Sequence, residues 1–201
     1  MRYYMFNKPR GVITACSDPR HETVMKYFPE SEREGLFPVG RLDKDTEGFL
    51  IMTDDGALCH KINTPSMKKE KTYVFYARGA VSDKDIERLL RGVDIGTGTV
   101  VMAKAERAEI IGRCELLDIA ALMGEDEARM KVSRKRHDPV TKIRMTITEG
   151  KKHQVKRMSG AIGAPLIYLE RVSISGIPLD PSLGRGEYRP MSESEIAALL
   201  S

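Results

Sequence analysis

The chain contains no tryptophan, and aromatic residues make up only 6% of its 201 positions. Its core must therefore be built mainly from Ile, Leu, Val and Met. Cysteine is equally scarce: Cys16, Cys59 and Cys114 lie far apart, are odd in number and form no C-x-x-C pair. The four histidines supply no spaced ligand set around them, so neither a disulfide scaffold nor a metal site is indicated. No segment approaches the roughly 18 uninterrupted apolar residues of a membrane span. The basic start has no apolar stretch behind it, unlike a secretory signal. No Gly/Ser/Pro linker or internal repeat divides the chain. These absences lead us to expect a soluble, cytoplasmic protein with reduced thiols, folded as one domain over residues 1–201.

What is present suits an ordinary globular chain: 41% hydrophobic and 31% charged residues. A net charge of +4 and a pI near 8.9 permit an anionic partner without requiring one. Tyr3 to Phe6 reads as a strand, Lys8-Pro9-Arg10-Gly11 as a turn, and Val12 to Thr14 as a second strand. Thr23 to Phe28 resembles a short helix stopped by Pro29, and Ala57 to Ile62 begins another after a turn at Asp54-Asp55-Gly56. Lys71 to Arg78, rich in Thr, Tyr, Val and Phe, is the clearest strand. Ser82 with Asp85 forms a capping box that opens a helix ended by Gly92, and Ser192 with Glu195 opens the last helix in the same way.

Val100 to Ile111 and Lys142 to Thr148 alternate as strands, whereas residues 112–136 fit a helix or a strand pair equally well. His153 to Ile162 has helical spacing, and Leu169 to Ile174 is a further strand. The order lacks regular strand-helix alternation. It predicts an α+β fold with a mixed, largely antiparallel sheet and flanking helices, in two lobes around a cleft.

The most informative segment is Gly40-Arg41-Leu42-Asp43-Lys44-Asp45-Thr46-Glu47-Gly48-Phe49-Leu50. It places a carboxylate in a polar loop between apolar strands, where active-site groups often sit. On composition alone such a loop is more often a surface turn. Four further motifs follow the same order along the chain: Asn7-Lys8-Pro9-x-Gly11, Lys71-Thr72-Tyr73, the basic run Glu149 to Met158, and Leu169-x-Arg171-Val172. Together these resemble the RsuA-type ribosomal RNA pseudouridine synthases, whose catalytic loop reads G-R-L-D-x-x-T-E-G-L-L. The resemblance runs over nearly the whole chain and implies the pseudouridine synthase fold.

The resemblance further implies isomerisation of a uridine in ribosomal RNA or a pre-ribosomal particle, with no metal or other cofactor, because no atoms are gained or lost. Asp43 would act as nucleophile or as base, and the sequence does not choose. Lys156 occupies the place of its cationic partner, with Arg157 as the alternative. Tyr73 would lie against the uracil and Leu169 beneath it. Arg41 would order the loop or meet phosphate. Lys68, Lys69, His153, Gln154 and Arg157 would bind the RNA, with Arg134 to His137 a further basic candidate. Taken singly, Tyr73 and Leu169 would be core and the basic residues a solvated face.

Most members of this branch begin with a small RNA-binding S4 module, and this chain begins at the Lys-Pro motif. A catalytic domain acting alone, as a monomer, is therefore the expectation, with large-subunit RNA favoured over small-subunit RNA. Two rival readings fit less well. A non-catalytic RNA-binding protein on the same fold would show an altered Asp43 or Tyr73, and both are intact. A nucleoside-cleaving hydrolase would need a second acid across the glycosidic bond, a role the motif match does not require of Asp45 or Glu47.

Overall fold

The computed structural model describes residues 1–63, 67–123 and 136–200. They form two compact units: Met1–Lys71 together with Glu170–Ser201, and Thr72–Leu169.

The first unit is organised around β1 (Tyr3–Lys8) and β3 (Glu47–Thr53), antiparallel in the register Tyr3↔Thr53 to Lys8↔Gly48. The short β2 (Phe37–Val39) covers the far end of β3. The unit also holds α1 (Glu30–Arg33) and α2 (Gly56–Asn63), the latter started by Asp55, whose carboxylate accepts the Ala57 and Leu58 amides. Alternate side chains of the strands, Met5, Phe49, Ile51 and Val39, pack with Leu58, Ile62, Ile174, Ile177 and Leu199 into one apolar core.

The second unit contains β4 (Lys71–Arg78), α3 (Asp83–Arg91), the two-residue pair β5 (Val93–Asp94) and β6 (Met102–Ala103), and the long hairpin of β7 (Arg107–Glu115) and β8 (Pro139–Ile147). It ends with α4 (Gln154–Ala161) and the first residues of β9 (Leu166–Ile174). Its own core gathers Leu116, Ile119, Met123, Val140 and Ile167. From Glu170 onward β9 belongs to the first unit, which closes with β10 (Ile177–Pro178), β11 (Tyr188–Pro190) and α5 (Glu193–Leu200). Within the units the strand orders are β11-β1-β3-β9 and β9-β4-β8-β7. The β3–β9 pair is parallel, whereas β1–β3, β1–β11, β2–β3, β9–β10 and β7–β8 are antiparallel. The mixed, mostly antiparallel α+β expectation holds.

Both capping boxes are formed. The Ser82 amide donates to Asp85 and the Asp85 amide to the Ser82 hydroxyl, and Ser192 and Glu195 exchange the same two bonds. Two strand expectations are corrected. Val12 to Thr14 forms only a single bridge, Ile13 to Thr23: Ile13 exchanges backbone bonds with Glu22 and Val24, while the Thr14 hydroxyl turns to the Leu42 carbonyl. Val100 to Ile111 is split into β6 and β7, since Ala105 donates its amide to Leu89 and leaves the ladder. Thr23 to Phe28 is a single 3-10 turn over Val24–Tyr27. The ambiguous stretch continues β7 to Glu115 and then coils as a 3-10 helix over Leu116–Leu122; Arg134 and Lys135 lie outside the described residues.

β3 meets β9 over two residues only, Glu47↔Glu170 and Gly48↔Arg171. Gly48 adopts φ +100°, and a Cβ there would run into the Arg171 carbonyl and lie 2.9 Å from the Arg171 nitrogen. Gly48→Ala should therefore cost about 2–4 kcal/mol, the sum of left-handed strain and overpacking. Urea denaturation of the two proteins measures it. A midpoint shift worth under ~0.5 kcal/mol, within the range of ordinary surface substitutions, would mean that the two strands part freely there.

Candidate active site

The loop between β2 and β3 carries Asp43, half-buried, between exposed Arg41 and Lys44. Three anchors from residues 8–14 hold it. The Thr14 hydroxyl donates to the Leu42 carbonyl at 2.8 Å and accepts the Leu42 amide at 3.2 Å. The Gly11 amide donates to the Lys44 carbonyl at 2.8 Å. Lys8, with no exposed surface, donates from Nζ to the carbonyls of Pro9 (2.9 Å), Asp43 (3.2 Å) and Thr46 (2.9 Å). Within the loop, the Thr46 amide closes a turn onto the same Asp43 carbonyl at 3.0 Å. The backbone on both sides of Asp43 is thus fixed.

Lys8 is an unusual clamp because an ammonium removed from water loses its hydration. Burial pushes its pKa down to about 8, while the carboxylates of Glu47, Asp45 and Asp43 act in the opposite sense. Glu47 is itself almost fully buried and takes a second cation from outside, Arg185, at 2.7 Å. Behind β3, the buried Arg171 donates Nε to the Phe49 carbonyl at 2.7 Å. The sequence motifs assign no role to Lys8, Thr14, Glu47 or Arg171. Lys8, Glu47 and Arg171 stand inside quoted motifs, which was the available signal; Thr14 carried none.

Of the other expected residues in the first unit, Lys68 is exposed at φ +44°, but Lys69 is only 9% exposed. The left-handed turn at Lys68 carries the chain inward before β4, so the two side chains differ in exposure. In the second unit, Tyr73 lies on the buried face of β4 with Phe75 and Ala77, and Leu169 is buried on β9. His153 is exposed and left-handed at the head of α4. Lys156 and Arg157 are half-buried on that helix. Gln154 is buried, accepting the Lys151 amide and donating to Glu149, and so closes the turn into α4.

The described residues contain no cluster of His, Cys, Asp or Glu arranged to hold a metal, and no helix long and apolar enough to cross a membrane. The fixed loop offers a carboxylate on a rigid backbone, which suits nucleophilic attack or proton abstraction.

Comparison with known proteins agrees with that chemistry. Residues 2–161 match the family model described as RNA pseudouridylate synthase. The chain is 40% identical over 198 residues to an uncharacterized RNA pseudouridine synthase of Bacillus subtilis, covering 98% of this chain and 72% of that protein. It is 35% identical over 199 residues to ribosomal small subunit pseudouridine synthase A of Escherichia coli, covering 99% and 74%. A crystal structure of a pseudouridylate synthase superposes with a TM-score of 0.78 at 32% identity, over 98% of this chain and 73% of that one.

Proposed function

Because this chain belongs to the RNA pseudouridylate synthase family, in its RsuA-type branch, we propose that it converts one uridine of small-subunit ribosomal RNA to pseudouridine. The observation that carries the reading is the loop of residues 40–50, which matches the family's catalytic motif and is clamped on either side of Asp43. The enzyme class and an RNA substrate rest on the family itself. The choice of subunit rests on the name of the Escherichia coli relative. The large-subunit preference expected from the sequence draws no support from that name and is given up here.

Asp43 acts on the ribose or on its proton to release the base, which then rotates and rejoins through carbon. Uridine in a folded RNA must first leave its stack. Tyr73 and Leu169 flank the extruded uracil in this reading, and Lys156 supplies the positive charge that an ionised carboxylate needs when water is excluded; the support for all three is motif register. Arg41, Lys68, His153 and Arg157 contact the RNA. The reaction needs no cofactor, and a cytoplasmic monomer working on ribosomal RNA or a pre-ribosomal particle completes the proposal.

Chemical mapping of pseudouridine in ribosomal RNA, from cells with and without this gene, tests it. One small-subunit site should disappear and return when the chain is supplied again. Loss confined to large-subunit RNA would overturn the subunit assignment, and unchanged maps of both RNAs would overturn the function.

A further inference from the structure

The segment between β10 and β11 belongs to none of the five motifs, yet it reaches the loop that bears Asp43. Its apex is Gly184-Arg185-Gly186, and its ends are fastened to β1. The Asn7 amide donates to the Glu187 carbonyl at 3.0 Å, the Gly186 amide to the Asn7 carbonyl at 2.8 Å, and Asn7 Nδ2 to the Leu183 carbonyl at 2.8 Å. Glu187 folds back to accept the Gly184 amide at 2.7 Å. Gly186, at φ +86°, lies flat against the Tyr27 ring, so close that a Cβ would stand 2.7 Å from a ring carbon. The apex is thus a rigid mount. Arg185 projects from it with Nε 2.7 Å from the Glu47 carboxylate; the Arg185 side chain stays 48% exposed while that of Glu47 is 4% exposed.

We propose that Arg185 is a phosphate contact for the RNA strand flanking the target uridine, tethered by Glu47. The proposal rests on the RNA-modifying function above. A guanidinium carries five N–H donors in a planar fork. Nε meets a buried carboxylate while about half the side chain stays open to solvent, where a phosphate can reach it. Glu47 serves as more than a partner. Immobilising an arginine side chain on binding costs rotamer freedom, and here much of that freedom is lost on folding. Glu47 is also within electrostatic reach of the buried Lys8 ammonium, so its charge is shared between two cations. Beside the apex Tyr27 is half-buried, and the Lys26 ammonium lies 5.2 Å from its ring centroid and 2.6 Å from Glu22.

The test compares wild type with Arg185→Ala, Arg185→Gln and Arg185→Lys, and uses Arg91→Ala as control, since Arg91 is an exposed helix arginine whose loss changes net charge equally. RNA affinity is followed across a salt series, and kcat and KM are measured on a ribosomal RNA fragment. Arg185→Ala should raise KM about five- to tenfold, leave kcat within about twofold, and flatten the log–log salt slope by about 0.7. Arg185→Gln, which can still bond to Glu47, should match it and serves if the alanine variant does not fold. Arg185→Lys should recover the slope but only part of KM. Unchanged slope and KM would overturn the contact, and so would a fall in kcat alone, which is what a mere cover for Glu47 would give. The same change from Arg91→Ala would reduce it to net charge. A wild-type chain that forms no pseudouridine would overturn the enzymatic reading itself, and the proposal with it.

Discussion

Asp43→Asn should fold like the wild type, bind RNA with a similar affinity and form no pseudouridine above background. The loop is held through backbone groups: the Lys8 ammonium and the Thr46 amide both meet the Asp43 carbonyl, which asparagine keeps. The substitution therefore changes one oxygen for an NH2 group on an otherwise fixed loop. An amide is neither a nucleophile nor a base at neutral pH, so the loss should reach on the order of 10⁴-fold or more in kcat. The measurement is pseudouridine formed per enzyme on a ribosomal RNA fragment, with RNA affinity and melting temperature taken alongside. Turnover within tenfold of wild type would remove Asp43 from the chemistry. A large fall in melting temperature would show that the carboxylate serves the fold.

The sequence made Asp43 visible because chemistry demands a particular side chain at a particular motif position. It also showed the elements whose signals are local. Ser82 with Asp85 and Ser192 with Glu195 specify helix starts within four residues, and the Thr-Tyr-Val-Phe run from Lys71 needs no distant partner to read as a strand. What holds Asp43 in place was not legible in the same way. Two of the three acceptors for Lys8 are main-chain carbonyls 35 and 38 residues away, at Asp43 and Thr46, and a carbonyl has no letter in a sequence. Thr14 likewise looks like any strand threonine until its hydroxyl meets Leu42. The burial of Gln154 and Lys69 was hidden for the converse reason. Their letters suggest polar surface, but a left-handed residue immediately before each, His153 and Lys68, accompanies a turn that takes the following side chain inward. The Val100 to Ile111 alternation misled because period two persists across Ala105, where the backbone leaves one ladder for another.

Lys8→Met should leave the protein nearly as stable as wild type and about 10²-fold less active. At neutral pH the buried ammonium is costly: a pKa brought from 10.5 down to about 8 corresponds to roughly 3 kcal/mol against the neutral amine in the same place. Methionine removes that cost, but leaves the Pro9 and Thr46 carbonyls without this donor, at about 1–3 kcal/mol each. The opposing terms are similar, so the unfolding free energy should move by less than about 2 kcal/mol. Activity has no such compensation, since a displacement of about 1 Å in a reacting group can cost 10²-fold. The pH dependence separates the two effects. Between pH 8 and 10.5 the folded chain has shed a proton that the unfolded chain keeps, so the contribution of Lys8 to stability rises with pH. Over the same range the clamp loses its charge, so the rate should fall with an apparent pKa near 8. Rate and stability therefore diverge in the wild type, and the limb near pH 8 should be missing from the rate profile of Lys8→Met. Profiles of kcat from pH 6.5 to 9.5, with melting curves at each pH, decide it. A methionine variant with wild-type kcat, or one that keeps the same alkaline limb, would show that Lys8 does not hold the loop for catalysis.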